Sequence, residues 1–173
     1  MHSIQPTVLL YGHLTHKRLD FAWREVEGYL SAEHVPKEIV LVIQSEGSGN
    51  YCWKFIEKMN TLKGITFFAK VYVAKSAAAL IALAADRREI EKHGVIEIHL
   101  GSVIIESNEV TSQGKVSKWI IDELRAGREH TFALMHKCGI PDTGSHMDAL
   151  LARNTLTLSA EECLKLGLVT RII

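Results

Sequence analysis

A chain of 173 residues with 47% hydrophobic content can bury a core that folds without disulfides or a structural metal. Twenty lysines and arginines balance twenty aspartates and glutamates, so no net field draws the protein toward nucleic acid or an anionic membrane. The three cysteines, Cys52, Cys138 and Cys163, lie far apart with no CxxC spacing, which argues against a disulfide framework and against a zinc site.

The opening residues, MHSIQPTVLLYGHLTHK, lack a basic segment followed by a long apolar stretch, and no run of about 18 apolar residues occurs. A cytoplasmic chain is expected, forming a single domain over residues 1–173. TVLLY (residues 7–11) reads as a short strand ended by Gly12, and residues 19–30 place Phe21, Ala22, Val26 and Tyr29 or Leu30 at helical spacing. EIVLVI (38–43) is the nearly continuous β-branched run of a strand buried on both faces. Gly47 and Gly49 punctuate it before a helix over about 51–59. TFFAKVYV (66–73) predicts a third strand and residues 76–91 a third helix. VIEIHL (95–100) and VIIE (103–106) predict two more strands. Residues 115–138 form a long charged helix, read as an arm outside the compact layers, followed by a turn region, GIPDTGSH. TLTL (155–158) is a strand. Ser159 with Glu162 is a capping box that opens a helix, and 168–172 is the last strand. Alternation of strands and helices predicts an α/β fold with a mostly parallel sheet.

Two residues stand where chemistry is possible. Ser76 opens the alanine-rich helix, so its oxygen lies by the Ala77 amide and the positive end of the helix dipole. A serine there is ordinarily an N-cap. His99 ends the strand VIEIH, 23 residues further on. The turn IQSEGSG falls at the same sheet edge, where Gly47 or Ser48 offers a second amide to an oxyanion. Lys75 beside Ser76 raises a serine–lysine dyad, although adjacent turn residues point apart. The other eight histidines, among them His13, His16 and His34, show no pattern.

In order, IVLVIQSEGSG, KSAAALIALAAD, IEIHLGS and LSAEECLKLGLV resemble the ClpP family of serine peptidases over effectively the whole chain. The resemblance implies a crotonase-like ββα-repeat fold, with residues 115–138 as a protruding handle helix. It implies a peptidase acting on peptides or unfolded proteins inside a ring-like homo-oligomer, with neither cofactor nor metal. Ser76 would be the nucleophile and His99 the general base, with oxyanion donors from Ala77 and from Gly47 or Ser48. Three features depart from the family. SEGSG replaces SPGG, Asn154 and Thr155 stand where a triad aspartate is expected, and little chain precedes the first strand. Asn154 is the expected third residue, with Asp142 and Asp148 as upstream carboxylates. The short start weakens the expectation of a Clp-type ATPase partner. The alternatives are an inactive assembly subunit of the same fold, and an acyl-CoA enzyme on a crotonase fold for which Glu46 is the one candidate carboxylate.

Overall fold

A computed structural model of the protein describes residues 5–47, 51–100, 116–140 and 145–173. Along these the strands are β1 (Thr7–His13), β2 (Glu38–Gly47), β3 (Thr66–Lys75), β4 (Arg87–His99), β5 (Thr155–Ser159) and β6 (Arg171–Ile172). The helices are α1 (His16–Leu30), α2 (Cys52–Thr61), α3 (Ala77–Ala84), α4 (Lys118–Lys137), α5 (Ser145–Arg153) and α6 (Ala160–Lys165). One mixed sheet runs β1-β2-β3-β4-β5, with β6 also on β4. The first four strands and β6 pair in parallel, and β5 alone runs antiparallel to its neighbour β4. The α/β, mostly parallel expectation therefore holds.

The core explains the alanines. Every residue of α3 is buried, because the helix lies against β2, β3 and β4 on one side and α2 and α4 on the other. A helix enclosed on all sides must be apolar all round, and small side chains let its neighbours approach closely. By contrast α1 buries one stripe, Leu19, Ala22, Trp23 and Val26, at the i, i+3, i+4, i+7 spacing of an amphipathic helix. The Ser159 capping box forms as expected, Ser159 accepting from the Glu162 amide while the Glu162 carboxylate accepts from the Ser159 amide.

Three expectations are corrected. The helix after Ser76 ends at Ala84, not Glu91, and residues 87–99 form one continuous strand. Asp86 makes the change: its amide donates to the Phe67 carbonyl and its carboxylate accepts from the Phe67 amide, so the β3–β4 ladder begins there. Arg88 then donates to the carbonyls of Leu83 and Ala85 at the end of α3 and to that of Leu168. It satisfies carbonyls that the helix end leaves without partners. Second, α4 does not stand clear of the layers. It buries Ile120, Thr131, Leu134 and Met135, packs on α3, and stacks His130 on Trp53 of α2 at 5.0 Å. Third, the final strand is confined to Arg171–Ile172, where Glu89, buried on β4, takes its cation from Arg171 at 2.9 Å. The strand expected at residues 103–106 lies outside the described residues.

Among the described residues, no helix is long and apolar enough to cross a membrane.

Candidate active site

β3 and α3 meet at Ser76 with no intervening loop. The Ser76 amide donates to the Glu97 carbonyl of β4 at 2.9 Å, while its carbonyl accepts from the Leu80 amide at 3.2 Å. One residue thus makes the last sheet bond and the first helix bond. To do both it adopts φ 52°, ψ −124°, a conformation that residues bearing a Cβ rarely take and that costs on the order of 1–3 kcal/mol. Its hydroxyl makes no capping bond to the helix. The ordinary N-cap explanation for this serine therefore fails on both counts, since a capping residue has extended backbone and a bonded side chain.

The turn places Ser76 in the lining of a small cleft of about 40 Å³, together with Ala77, Leu80, Cys52, Trp53 and His99 and with Glu123, Leu124, Gly127, Arg128 and Thr131 of α4. The cleft lies at the carboxyl ends of β3 and β4, where open α/β sheets hold their ligands. Ser76 and His99, adjacent to nothing of each other in sequence, share it because β3 and β4 pair in register with Lys75 opposite Glu97.

Gly47 brings the end of β2 directly onto this turn. A Cβ on Gly47 would stand on the Lys75 carbonyl oxygen, 2.8 Å from the Ser76 Cβ and 2.9 Å from the Ala77 amide nitrogen, and its φ of 75° also favours glycine. Its amide is already engaged, donating to the Ser45 hydroxyl at 2.9 Å. As a free oxyanion donor Gly47 is thereby set aside, and its part is close approach. Ala77, first residue of α3 and uncapped by Ser76, lines the cleft. Ser48 lies outside the described residues, as does Asp142.

Asn154 sits beside His99 by backbone register. Thr155 pairs with His99 across β4 and β5, and the Asn154 carbonyl accepts from the Leu100 amide at 3.2 Å. Asn154 follows α5 with φ 59°, the left-handed conformation in which asparagine commonly ends a helix. Among the described residues, the His99 ring makes no hydrogen bond to Asn154 or to any carboxylate.

Two competing chemistries lose their residues. Lys75 is held by Glu46 at 2.8 Å, and that hydrogen bond and charge, reinforced by Glu97, raise its pKa. A lysine base needs the opposite shift. Glu46, paired in this way, lines a depression on the other side of the sheet with Leu9, Tyr11, Val42 and Gln44, away from the Ser76 cleft. Cys52 does lie in the cleft, but burial pushes its thiol up to about 12, so it stays protonated and weakly nucleophilic. Among the described residues, no group of three or more His, Cys, Asp or Glu is placed to hold a metal ion.

No protein-family model matches the chain, and no curated protein matches its sequence. Its backbone is nevertheless similar to the crystal structure of a peptidase from Plasmodium falciparum, with a TM-score of 0.74 over 96% of this chain and 94% of that one. The two chains share a fold. At 14% identity the likeness carries the arrangement of elements, and the roles of residues rest on the geometry of the cleft.

Cys52, Trp53 and the α4 wall were not singled out from the sequence. Neither were Ser45 of β2 and His13 of β1, which both bond Gly47. None carries a motif; each is brought in by a helix crossing or a strand register.

Proposed function

We propose that this protein is a serine hydrolase of the ClpP type that cleaves peptide bonds. The observation that supports this most is the backbone of Ser76. A strained strand-to-helix turn presenting an uncapped hydroxyl in a cleft shared with a histidine is an arrangement for presenting a nucleophile, and folding alone gives no reason to keep it. In this reading the Ser76 Oγ attacks the substrate carbonyl carbon as His99 accepts its proton. The Ala77 amide at the start of α3 stabilises the negative oxygen that forms, helped by the helix dipole. His99 then returns the proton to the leaving amine, and water repeats the sequence on the acyl-enzyme. Asn154, one residue before the Thr155 that pairs with His99, is the proposed third residue, acting on the orientation of the imidazole and carrying no proton.

Self-assembly belongs to the same proposal. Among the described residues, the sheet face carrying Leu9 and Tyr11, respectively 56% and 60% exposed, is an open depression lined also by Val42, Gln44 and Val73, whereas mostly parallel sheets usually bury both faces. A homo-oligomer in the cytoplasm is our reading, and sedimentation velocity tests the assembly.

Among the described residues no hydrogen bond orients the His99 ring, which favours a second reading in which the chain keeps the fold as an inactive assembly subunit. One experiment separates the two. A fluorophosphonate probe followed by mass spectrometry should label Ser76 in the wild-type protein and nothing in Ser76→Ala. Absence of labelling across neutral and mildly alkaline pH would leave the subunit reading standing.

A further inference from the structure

Gly47 is the residue on which the geometry of the Ser76 turn depends, yet glycine contributes no side chain to fix itself and has the widest backbone freedom. Something else must hold it. All of its backbone hydrogen bonding on the described side comes from β1 or is relayed to it. The Gly47 amide donates to Ser45 Oγ at 2.9 Å, and Ser45 Oγ in turn donates to the Gly12 carbonyl at 2.5 Å. The Gly47 carbonyl accepts from the Leu14 amide at 3.4 Å and bonds His13 Nδ1 at 2.9 Å. A carbonyl oxygen only accepts, so this contact requires the proton on Nδ1.

Strand register places these groups together. Pairing of β1 with β2 shifts between Tyr11 and His13, β2 gaining an extra residue so that His13 falls opposite Gly47. Gly12, at φ 63°, turns the chain at this shift. Bulges of this kind re-aim side chains next to functional sites. Ser45 is one of only three polar or charged residues fully buried among the described residues, and its hydroxyl is used both as donor and as acceptor. His13 itself is exposed, so the core does not need it.

We propose that His13 and Ser45 are positioning residues for the hydrolytic reaction: they clamp Gly47 against the Ala77 amide and so set the oxyanion side of the Ser76 cleft. This inference rests on the serine-hydrolase reading above. Oxyanion stabilisation is steep in distance, and donors act only when held in place before the charge forms. Releasing the Gly47 carbonyl lets the end of β2 relax at the point where it touches Ser76 and Ala77. The loss falls on the bond-forming step and leaves reversible binding in the cleft nearly as it was.

The test measures phosphonylation of Ser76 by a fluorophosphonate at several concentrations, separating the maximal rate from the half-saturating concentration. It uses the wild type, His13→Ala, His13→Asn and Ser45→Ala, with Ser76→Ala as control. Hydrogen exchange of the segment containing Gln44 to Gly47 is followed in parallel. For His13→Ala the maximal rate should fall about tenfold or more, with half-saturation changed less than about threefold and melting temperature nearly unchanged. His13→Asn, which keeps an N–H donor, should recover most of the rate, and exchange should quicken in His13→Ala alone of the two. Ser45→Ala should slow the same step. Wild-type rates in both alanine variants would overturn the proposal, as would losses that merely track the unfolded fraction. An unlabelled wild type would instead remove the parent reading, and this role with it, whatever the exchange shows.

Discussion

Leu100 donates its amide to the Asn154 carbonyl at 3.2 Å, and this single backbone bond ties Asn154, the proposed third residue, to the neighbour of His99. An asparagine differs chemically from the carboxylate of a serine-hydrolase triad. Asparagine can favour the wrong imidazole tautomer, a defect worth about 10⁴ in rate where an aspartate has been replaced. Asparagine and aspartate both tolerate the left-handed backbone at φ 59°. Asn154→Asp should consequently raise the rate of Ser76 phosphonylation and of peptide hydrolysis by at least about tenfold without unfolding the protein. Unchanged rates would show that position 154 does not serve His99.

Gly47→Ala tests the contact between β2 and the Ser76 turn. The added Cβ meets the Lys75 carbonyl, backbone that cannot swing aside, at a φ that disfavours alanine. A loss of about 3 kcal/mol in urea unfolding is expected, together with loss of labelling at Ser76. Gly28→Ala in α1 is the matched control, because a Cβ there meets nothing within 4 Å and the helix should gain slightly in stability.

Arg88 joins the end of α3 to β4 and to the segment before β6 through the carbonyls of Leu83, Ala85 and Leu168. Arg88→Met fills similar volume but removes every donor. Unfolding free energy should fall by about 2–4 kcal/mol, read from the urea midpoint, since half-buried carbonyls lose charged partners.

The two most deeply buried thiols predict an alkaline limit. Burial raises Cys52 from its ordinary 9.0 to about 12, and raises Cys163 to about 12 with a further contribution from Glu162. Between those values the folded protein binds more protons than the unfolded chain. The thiol contribution to stability is thus fully present below pH 9 and declines as pH rises from 9 toward 12. Urea midpoints measured from pH 8 to 11 should fall, and Cys163→Ala should flatten the slope while lowering the plateau. A slope equal to wild type in that variant would refute the assignment.

Much of the architecture was legible because it follows local rules. Continuous apolar runs such as EIVLVI predict strands that form, and Ser159 with Glu162 predicts a capping box that forms. The run DRREIE reads as the end of a helix in the sequence because charged helix formers dominate it. There, pairing with β3 through Asp86 overrides propensity. The handle expected to project lies instead on α3, since Leu134 and Met135 find an apolar surface there.

The sequence by itself determined the alternation of strands and helices, the alanine-rich composition of α3 and the presence of a serine and a histidine at strand ends, because spacing and composition dictate these one element at a time. Tertiary structure decided what those residues are. The left-handed turn of Ser76 arises only when its amide reaches Glu97 and its carbonyl reaches Leu80. Gly47 becomes indispensable only when β2 ends on that turn, and His13 acquires a partner only through a register shift between β1 and β2. Apart from the Leu80 bond, which is local, these are pairings across 21 to 34 residues of chain, set by which strand lies beside which.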